Sequence, residues 1–179
     1  MKYTTALVFS LSLFSWCKAF VVPIGLDDGT YFQALDDKGS AIGEPVLQEE
    51  VATRDASFPT GGGSARVAKR QLASPAAFCH SRSYNGNGYS DALYKFDLMC
   101  DLGVEYPTYY AAFRTSGGTV AYMCNYENHN RCWRSEFDQV NVLLDAVCGW
   151  NVAGWVVLDL YKKSYGRDVQ VENWLQGTK

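Results

Sequence analysis

Two groups of residues have the types and spacing that acid–base chemistry requires. Glu127, His129 and Arg131 share one short polar stretch, and His80 is the only other histidine. A carboxylate, imidazoles and a guanidinium are groups with which small secreted ribonucleases cleave RNA by general acid–base catalysis. Nothing in the sequence brings His80 to the other three residues, so a solvated polar loop is the simpler interpretation of this stretch.

A pair of carboxylates offers a second chemistry, the hydrolysis of glycosidic bonds. Asp97 and Asp101 are one helical turn apart, but together with Asp91 they also fit the exposed polar face of a helix, which we favour. The sequence has no nucleophile elbow, no phosphate-binding loop and no zinc-type spacing of cysteine and histidine. We therefore expect no catalytic residue, no metal and no cofactor, and we favour a binding protein over an enzyme.

Aromatic residues make up 15% of the chain, and exposed rings can stack on sugars or anchor a protein partner. Most of the rings are expected in the core. Tyr84 and Tyr89 lie in or next to a glycine-rich stretch and Trp133 follows a cysteine, so we expect these three on the surface. The candidate binding residues are Tyr84, Tyr89, Glu127, His129, Arg131 and Trp133.

The N-terminus has the organisation of a secretory signal peptide. Lys2 supplies a positive charge, an apolar run covers residues 6–16, and Ala19 ends a small-residue cleavage site. The apolar run is shorter than the roughly 20 residues of a membrane-spanning helix. We therefore expect residues 1–19 to be removed, and we expect a secreted, extracellular product without a membrane span.

Residues 20–70 are expected to form a largely disordered pro-segment, because they carry Asp- and Gly-rich stretches and few residues able to build a core. A short hairpin is possible where residues 30–35 alternate and residues 40–42 return after a turn, although a lone hairpin is marginal in water. The pair Lys69-Arg70 ends the segment and predicts cleavage by a kexin-type protease of the secretory pathway.

Residues 71–179 then form the mature cysteine-rich domain. Five cysteines remain after Cys17 is lost with the signal peptide, so we expect either two disulfides and one free thiol, or an intermolecular bridge. Their placement suggests a bridge from Cys124 to Cys132, and Cys100 and Cys148 joining the helices or reaching the sheet. Cys79 then holds the N-terminal arm. The net charge of −3, with scattered basic residues, argues against a nucleic-acid partner.

The mature segment shows two amphipathic helices, expected at residues 90–103 with Ser90 as N-cap and at residues 135–149 beginning at Ser135. Strands are expected at residues 109–114, 119–124, 152–161 and 168–172, with a turn over residues 162–167. The order α-β-β-α-β-β predicts an α+β fold. We expect a two-layer sandwich, stapled by disulfides, in which the helices pack on one face of an antiparallel sheet.

Several short stretches resemble small secreted fungal effectors. They are residues 119–124 (TVAYMC), Cys132, the helix ending in Val147-Cys148-Gly149, residues 152–155 (VAGW) and residues 164–166 (SYG). The chain thereby resembles the killer-toxin-like (killer protein four) group and the necrosis-inducing-factor group of fungal effectors, and residues 28–31 with Lys69-Arg70 are similar to fungal secreted precursors. The odd cysteine count departs from those toxins.

The sequence as a whole predicts a secreted effector or toxin-like protein that acts on a host or a competitor by binding a target, either a protein or a glycan. Two alternatives stay open. One is a secreted hydrolase such as a small ribonuclease, and the other is an antimicrobial killer toxin against competing microbes.

Overall fold

The computed structural model describes residues 20–48, 72–84, 86–103, 105–127 and 129–171. Ala19, Lys69 and Arg70 lie outside these residues, so removal of the signal peptide and dibasic cleavage stay predictions. No helix within the described residues is long and apolar enough to cross a membrane.

The described chain is an α+β fold built mostly of antiparallel sheet. Seven strands form one sheet in the order β2-β1-β5-β6-β9-β8-β3, and two short strands, β4 and β7, pair separately. The elements in chain order are β1 (Gly29–Leu35), β2 (Ala41–Gln48), β3 (Pro75–Ser83), α1 (Gly86–Asp101), β4 (Glu105–Tyr106), β5 (Tyr110–Ser116), β6 (Thr119–Asn125), β7 (Asn130–Arg131), α2 (Arg134–Val147), β8 (Val152–Leu158) and β9 (Lys163–Val169).

The hairpin suggested before the dibasic site is present as β1 and β2, but it does not stand alone. β1 lies between β2 and β5 inside the main sheet. The expectation of disorder therefore does not hold for residues 20–48. Tyr31 and Leu35 are each 4% exposed because β5 and its neighbours give them a surface to pack against, which an isolated hairpin lacks.

The predicted element order and boundaries need correction, since β1, β2, β4 and β7 were not part of the predicted order. β3 is an additional edge strand that pairs with β8. Residues 162–167, predicted as a turn, mostly belong to β9, and the chain instead reverses at a 3₁₀ turn over Asp159–Tyr161 followed by Lys162 at φ 51°. The first helix begins at Gly86 rather than after Ser90, and Trp133 rather than Ser135 is the N-cap of α2, without a side-chain capping hydrogen bond.

The two helices share a hydrophobic core with alternate residues of the central strands. Phe137, Val140 and Leu144 of α2 are buried, as the amphipathic stripe predicts, whereas Val147 is 56% exposed. The ring of Phe96 on α1 lies 4.7 Å from that of Phe137 and joins the two helices. The residues of the main sheet in this core are Ala112, Ala121, Met123, Val156, Leu158 and Tyr165, and Tyr106 of β4 joins them.

Two disulfides tie the helices to the rest of the fold, as the cysteine count allows. Cys79 of β3 is bonded to Cys148 at the end of α2, and Cys100 at the end of α1 is bonded to Cys132 before α2. The suggested bridge from Cys124 to Cys132 is therefore wrong. Cys100 and Cys148 are not bonded to each other, and of the two alternatives for them Cys148 follows the second, because it reaches the sheet through Cys79. Cys124 belongs to neither disulfide and is 1% exposed. It is buried because β6 is a central strand of the sheet.

An ion pair lies inside the core between α2 and β9. Nζ of Lys163 is 2.5 Å from Oε2 of Glu136, and both side chains are fully buried. Lys163 also donates to the carbonyl of Arg131 at 2.9 Å, and the hydroxyl of Tyr165 donates to Glu136 at 2.8 Å. These hydrogen bonds replace the water that both charges lose on burial.

Candidate functional site

One row of residues crosses six strands on the second face of the sheet, the face that carries Phe113 and Tyr122. The hydrophobic cluster on this face contains residues of strands, of the N-terminal segment and of the loops next to β5 and β6, and none from α1 or α2. Consecutive members of the row are register partners on neighbouring strands. This aromatic row consists of Tyr31, Phe113, Tyr122, Gly166, Trp155 and Phe78.

Gly166 is the one member without a ring, and its small size is required. A Cβ atom at this position would lie 2.3 Å from Cζ of Tyr122. The tyrosine ring therefore lies directly over the backbone of β9 at Gly166. This contact makes the row continuous from the centre of the sheet to its β3 edge.

The two ends of the aromatic row differ in exposure. At the β1 end, Phe20 covers Phe113 and Tyr122 with ring centroids 5.3 and 5.5 Å away. At the β3 end, Phe78 is 45% exposed and stacks on Trp155 at 5.1 Å with an interplanar angle of 18°. Phe78 and Trp155 thus form a stacked aromatic pair that is open to solvent on the Phe78 side, and such a pair can stack on a ligand.

Polar groups border the exposed rings. The ring of His80 lies 4.8 Å from that of Trp155, and its Nε2 atom is 3.5 Å from Oδ2 of Asp168. Arg82 donates to both carboxylate oxygens of Asp168, at 3.1 and 2.7 Å. We call Phe78, His80, Arg82, Trp155 and Asp168 the open end of the row.

Two ring nitrogens at the open end are buried and unpaired. Within the described residues, Nε2 of His80 and Nε1 of Trp155 are shielded from solvent and have no hydrogen-bond partner. Burial lowers the pKa of His80 below its ordinary value; Asp168 opposes this effect and Arg82 adds to it. A largely neutral imidazole beside an aromatic face can both donate and accept hydrogen bonds at neutral pH.

The polar loop that suggested acid–base chemistry is not brought to His80. Lys163, at the start of β9, donates to the carbonyl of Arg131 in this loop, whereas His80 approaches Asp168 near the other end of β9. Lys163 and Asp168 are five positions apart along the strand, about 17 Å at the usual rise. Glu127 and His129 are exposed, and Arg131 pairs with Glu105 at 3.2 Å.

Tyr84 and Tyr89 were expected on the surface but are buried, at 5% and 7% exposure. Their rings stack at 4.2 Å beneath the guanidinium of Arg167, whose Nη1 also lies 2.6 Å from Oδ1 of Asp145. The rings therefore shield a buried cation from solvent. Trp133 is partly buried, and the guanidinium of Arg131 lies 5.9 Å from its ring centroid.

The candidate carboxylates Asp97 and Asp101 differ in environment. Burial raises the pKa of Asp97 to about 7, with a further contribution from Asp138, while Arg134 at 3.9 Å opposes the shift. Asp101 pairs with Arg134 at 3.0 Å and has a side chain 48% exposed. Asp97 thus lies near the interface between α1 and α2 rather than on the fully solvated face that the sequence suggested.

The pH dependence of stability should report on Asp97. Its folded-state pKa is above the ordinary 3.8, so its stabilising contribution is complete below about pH 4 and is lost as the pH rises through about 7. The loss is at most about 4 kcal/mol, since one pKa unit corresponds to about 1.4 kcal/mol. We expect Asp97→Asn to gain stability over wild type between pH 5 and pH 8 in urea unfolding.

Asp159→Asn is the control for that experiment, because Asp159 is a carboxylate 63% exposed in the 3₁₀ turn after β8 and does not contribute to the shift of Asp97. Its free energy of unfolding relative to wild type should change little across the same pH range. Parallel stability profiles for wild type and Asp97→Asn would contradict the assignment.

The described residues contain no cluster of His, Cys, Asp and Glu that is suited to hold a metal ion. No protein-family model, no curated protein and no solved structure matches the chain. Its function is therefore inferred from the geometry of the site.

The open end could not be predicted from the sequence, because β3 was not predicted as a strand. Residues 75–83 have a weak alternation, with exposed positions on both faces of an edge strand, so no clear period-2 signal marks them. The sequence does contain one indication of this site. Phe78 and His80 are two positions apart, so both rings lie on the same face if the segment is an extended strand.

Proposed function

We propose that the chain is a secreted effector or toxin-like protein that acts outside the producing cell by binding a target on another organism. The observation that carries the proposal is the open end of the aromatic row, where Phe78 is 45% exposed against Trp155 and beside His80. The two disulfides support a location outside the reducing cytosol, because such bonds persist mainly in oxidising compartments.

The chemistry of the open end favours a glycan as the target. A sugar ring has apolar C–H faces that stack on an aromatic ring, and its hydroxyl groups need hydrogen-bond partners at the rim of that ring. Phe78 supplies an exposed ring, and the partly exposed guanidinium of Arg82 supplies hydrogen-bond donors beside it. The side chain of Arg82 is 33% exposed and is held by Asp168, so it is fixed before the target arrives.

Binding to cell-wall polysaccharides tests this proposal. Purified protein is mixed with particles of chitin, cellulose, β-1,3-glucan or mannan, and the protein left in solution is measured. We expect wild type to be depleted by at least one of these polymers. Phe78→Ala should bind about tenfold more weakly, which corresponds to about 1.4 kcal/mol. The fold should survive this change because Phe78 lies on an edge strand and is partly exposed.

Tyr94→Ala provides a matched control, since Tyr94 is an aromatic residue on α1 that is 59% exposed. It should bind like wild type. Equal binding by wild type and Phe78→Ala would rule out the open end as the contact surface. Binding to none of the polymers, with capture by one purified surface protein instead, would show a protein target.

A second candidate function, the cleavage of RNA, is favoured by one specific observation. His80 lies on a strand, 3.5 Å from Asp168 and next to Arg82, so an imidazole, a carboxylate and a guanidinium do converge. Arg82 and Asp168 neutralise each other, however, and Asp168 is 2% exposed, which limits their access to a substrate. Cleavage of single-stranded RNA that is lost in His80→Asn and retained in His129→Asn would establish this activity.

A further inference from the structure

The N-terminal segment that precedes the dibasic site is built into the sheet of the domain that follows it. β1 pairs with β5 over six consecutive residue pairs, from Gly29 with Thr115 to Ala34 with Tyr110. β1 also pairs with β2, so it is an internal strand rather than an added edge. Without residues 20–48, β5 would become a bare edge with unpaired backbone groups.

Side chains fasten the first turn of this segment to the turn between β5 and β6. The hydroxyl of Thr115 donates to the carbonyl of Asp27 at 2.7 Å and accepts from the amide of Gly29 at 3.0 Å. The carboxylate of Asp28 accepts from the amide of Gly117 at 2.9 Å. These bonds join residues more than 80 positions apart in the chain.

The N-terminal arm (residues 20–28) extends the contact to the other end of the described chain. Val171 donates from its amide to the carbonyl of Val22 at 3.0 Å and accepts from the amide of Ile24 at 3.1 Å. Gln170 donates to the carbonyl of Leu26 at 3.0 Å. Phe20 is 4% exposed on the aromatic row. The arm and β1 thus cover the central rings of the second face.

No covalent bond would hold this segment after processing at Lys69-Arg70. The six cysteines of the sequence include none between residues 20 and 70. A released pro-segment would expose the rings of Phe113 and Tyr122, which are 0% and 1% exposed in the structure. Exposed rings and a bare edge strand are features that folded proteins avoid.

We propose that cleavage at Lys69-Arg70 yields a two-chain protein in which residues 20–48 remain bound non-covalently as β1 and β2. The segment is then a permanent part of the fold rather than a propeptide that is released. The inference uses the predicted cleavage site and does not depend on a glycan target, because the open end lies at the opposite edge of the sheet.

The test is to cleave the folded full-length protein and to compare the mass of the product under native and denaturing conditions. After treatment with a purified kexin-type protease, native mass spectrometry should give one species with the summed mass of both fragments. A denaturing gel without reductant should give two bands. A second variant carries the recognition sequence of a site-specific viral protease in place of residues 66–70, so that a cut is made even if the kexin-type enzyme fails.

The affinity between the fragments is tested by Thr115→Val, which removes the hydroxyl that bonds to Asp27 and Gly29 and keeps a similar volume. We expect the fragments of this variant to separate at least tenfold faster on dilution than those of the wild type. Tyr94→Ala, on α1, should leave that rate unchanged. A released N-terminal fragment, with residues 71–179 folded and monodisperse at their own mass, would overturn the proposal.

Discussion

Glu136→Leu is expected to lower the free energy of unfolding by about 3–5 kcal/mol, because it leaves the ammonium of Lys163 buried without its carboxylate. Lys163→Met should cost a similar amount for the converse reason. Either loss is a large fraction of the stability of an ordinary domain, which is about 5–15 kcal/mol. Urea unfolding followed by tryptophan fluorescence measures both changes.

The double variant Glu136→Leu/Lys163→Met shows whether the loss in free energy of unfolding comes from an unpaired buried charge or from altered packing. Two apolar side chains need no partner, so the double variant should recover most of the stability that either single variant loses. Asp159→Ala breaks an exposed pair with Lys162 and should change the stability by less than about 1 kcal/mol. Strictly additive losses in the double variant would contradict the importance of the pair.

Removal of the disulfide between Cys79 and Cys148 is the second large expected effect. This bond closes a loop of 69 residues, and the loss of chain entropy in the unfolded state predicts a stabilisation of about 4 kcal/mol. Cys79→Ala/Cys148→Ala should therefore unfold at a clearly lower urea concentration. The bond between Cys100 and Cys132 closes a shorter loop, of 32 residues, and its removal should cost slightly less.

A reductant provides the control for the disulfide experiment. Dithiothreitol should lower the melting temperature of the wild type. A variant in which all four disulfide-bonded cysteines are replaced should melt at the same temperature with and without dithiothreitol. Thiol titration first shows that both disulfides are formed in the wild type. If reduction of that protein then left its melting temperature unchanged, the disulfides would not stabilise the fold.

The amphipathic helix α2 and the hairpin of β5 and β6 could be predicted because their signals are local. Phe137, Val140 and Leu144 recur at helical spacing, and two glycines mark the turn after Ser116. The α+β class followed from these elements. Their boundaries were less predictable, since Trp133 begins α2 without any side-chain cap.

β9 could not be predicted, because two of the alternate positions that face the core are occupied by charged residues instead of apolar ones. Lys163, Tyr165 and Arg167 share one face and are each at most 1% exposed, yet two of them are cations. Cations usually mark an exposed position, and only their ion-pair partners, the buried Glu136 and the partly exposed Asp145, make this placement possible. Those partners are on α2, far from β9 in the sequence.

The open end of the row depends on the same long-range information. Phe78, Trp155 and Asp168 come from three strands, and β3, which places Phe78 and His80 there, has little periodicity of its own. The sequence offered Tyr84 and Tyr89 instead, because a glycine-rich stretch suggests exposure. In the structure both rings are buried, where they pack against the guanidinium of Arg167.

Nuclear magnetic resonance of the indole groups tests the proposed contact surface most directly. The protein is titrated with a soluble oligosaccharide of the polymer that depletes it. The indole N–H signal of Trp155 and the amide signals of Phe78 and His80 should shift together, while the indole signal of Trp150, which is 66% exposed, should not move. Saturable shifts confined to Trp150 or to the loop of Glu127 and His129, with Trp155 unchanged, would contradict binding at the open end.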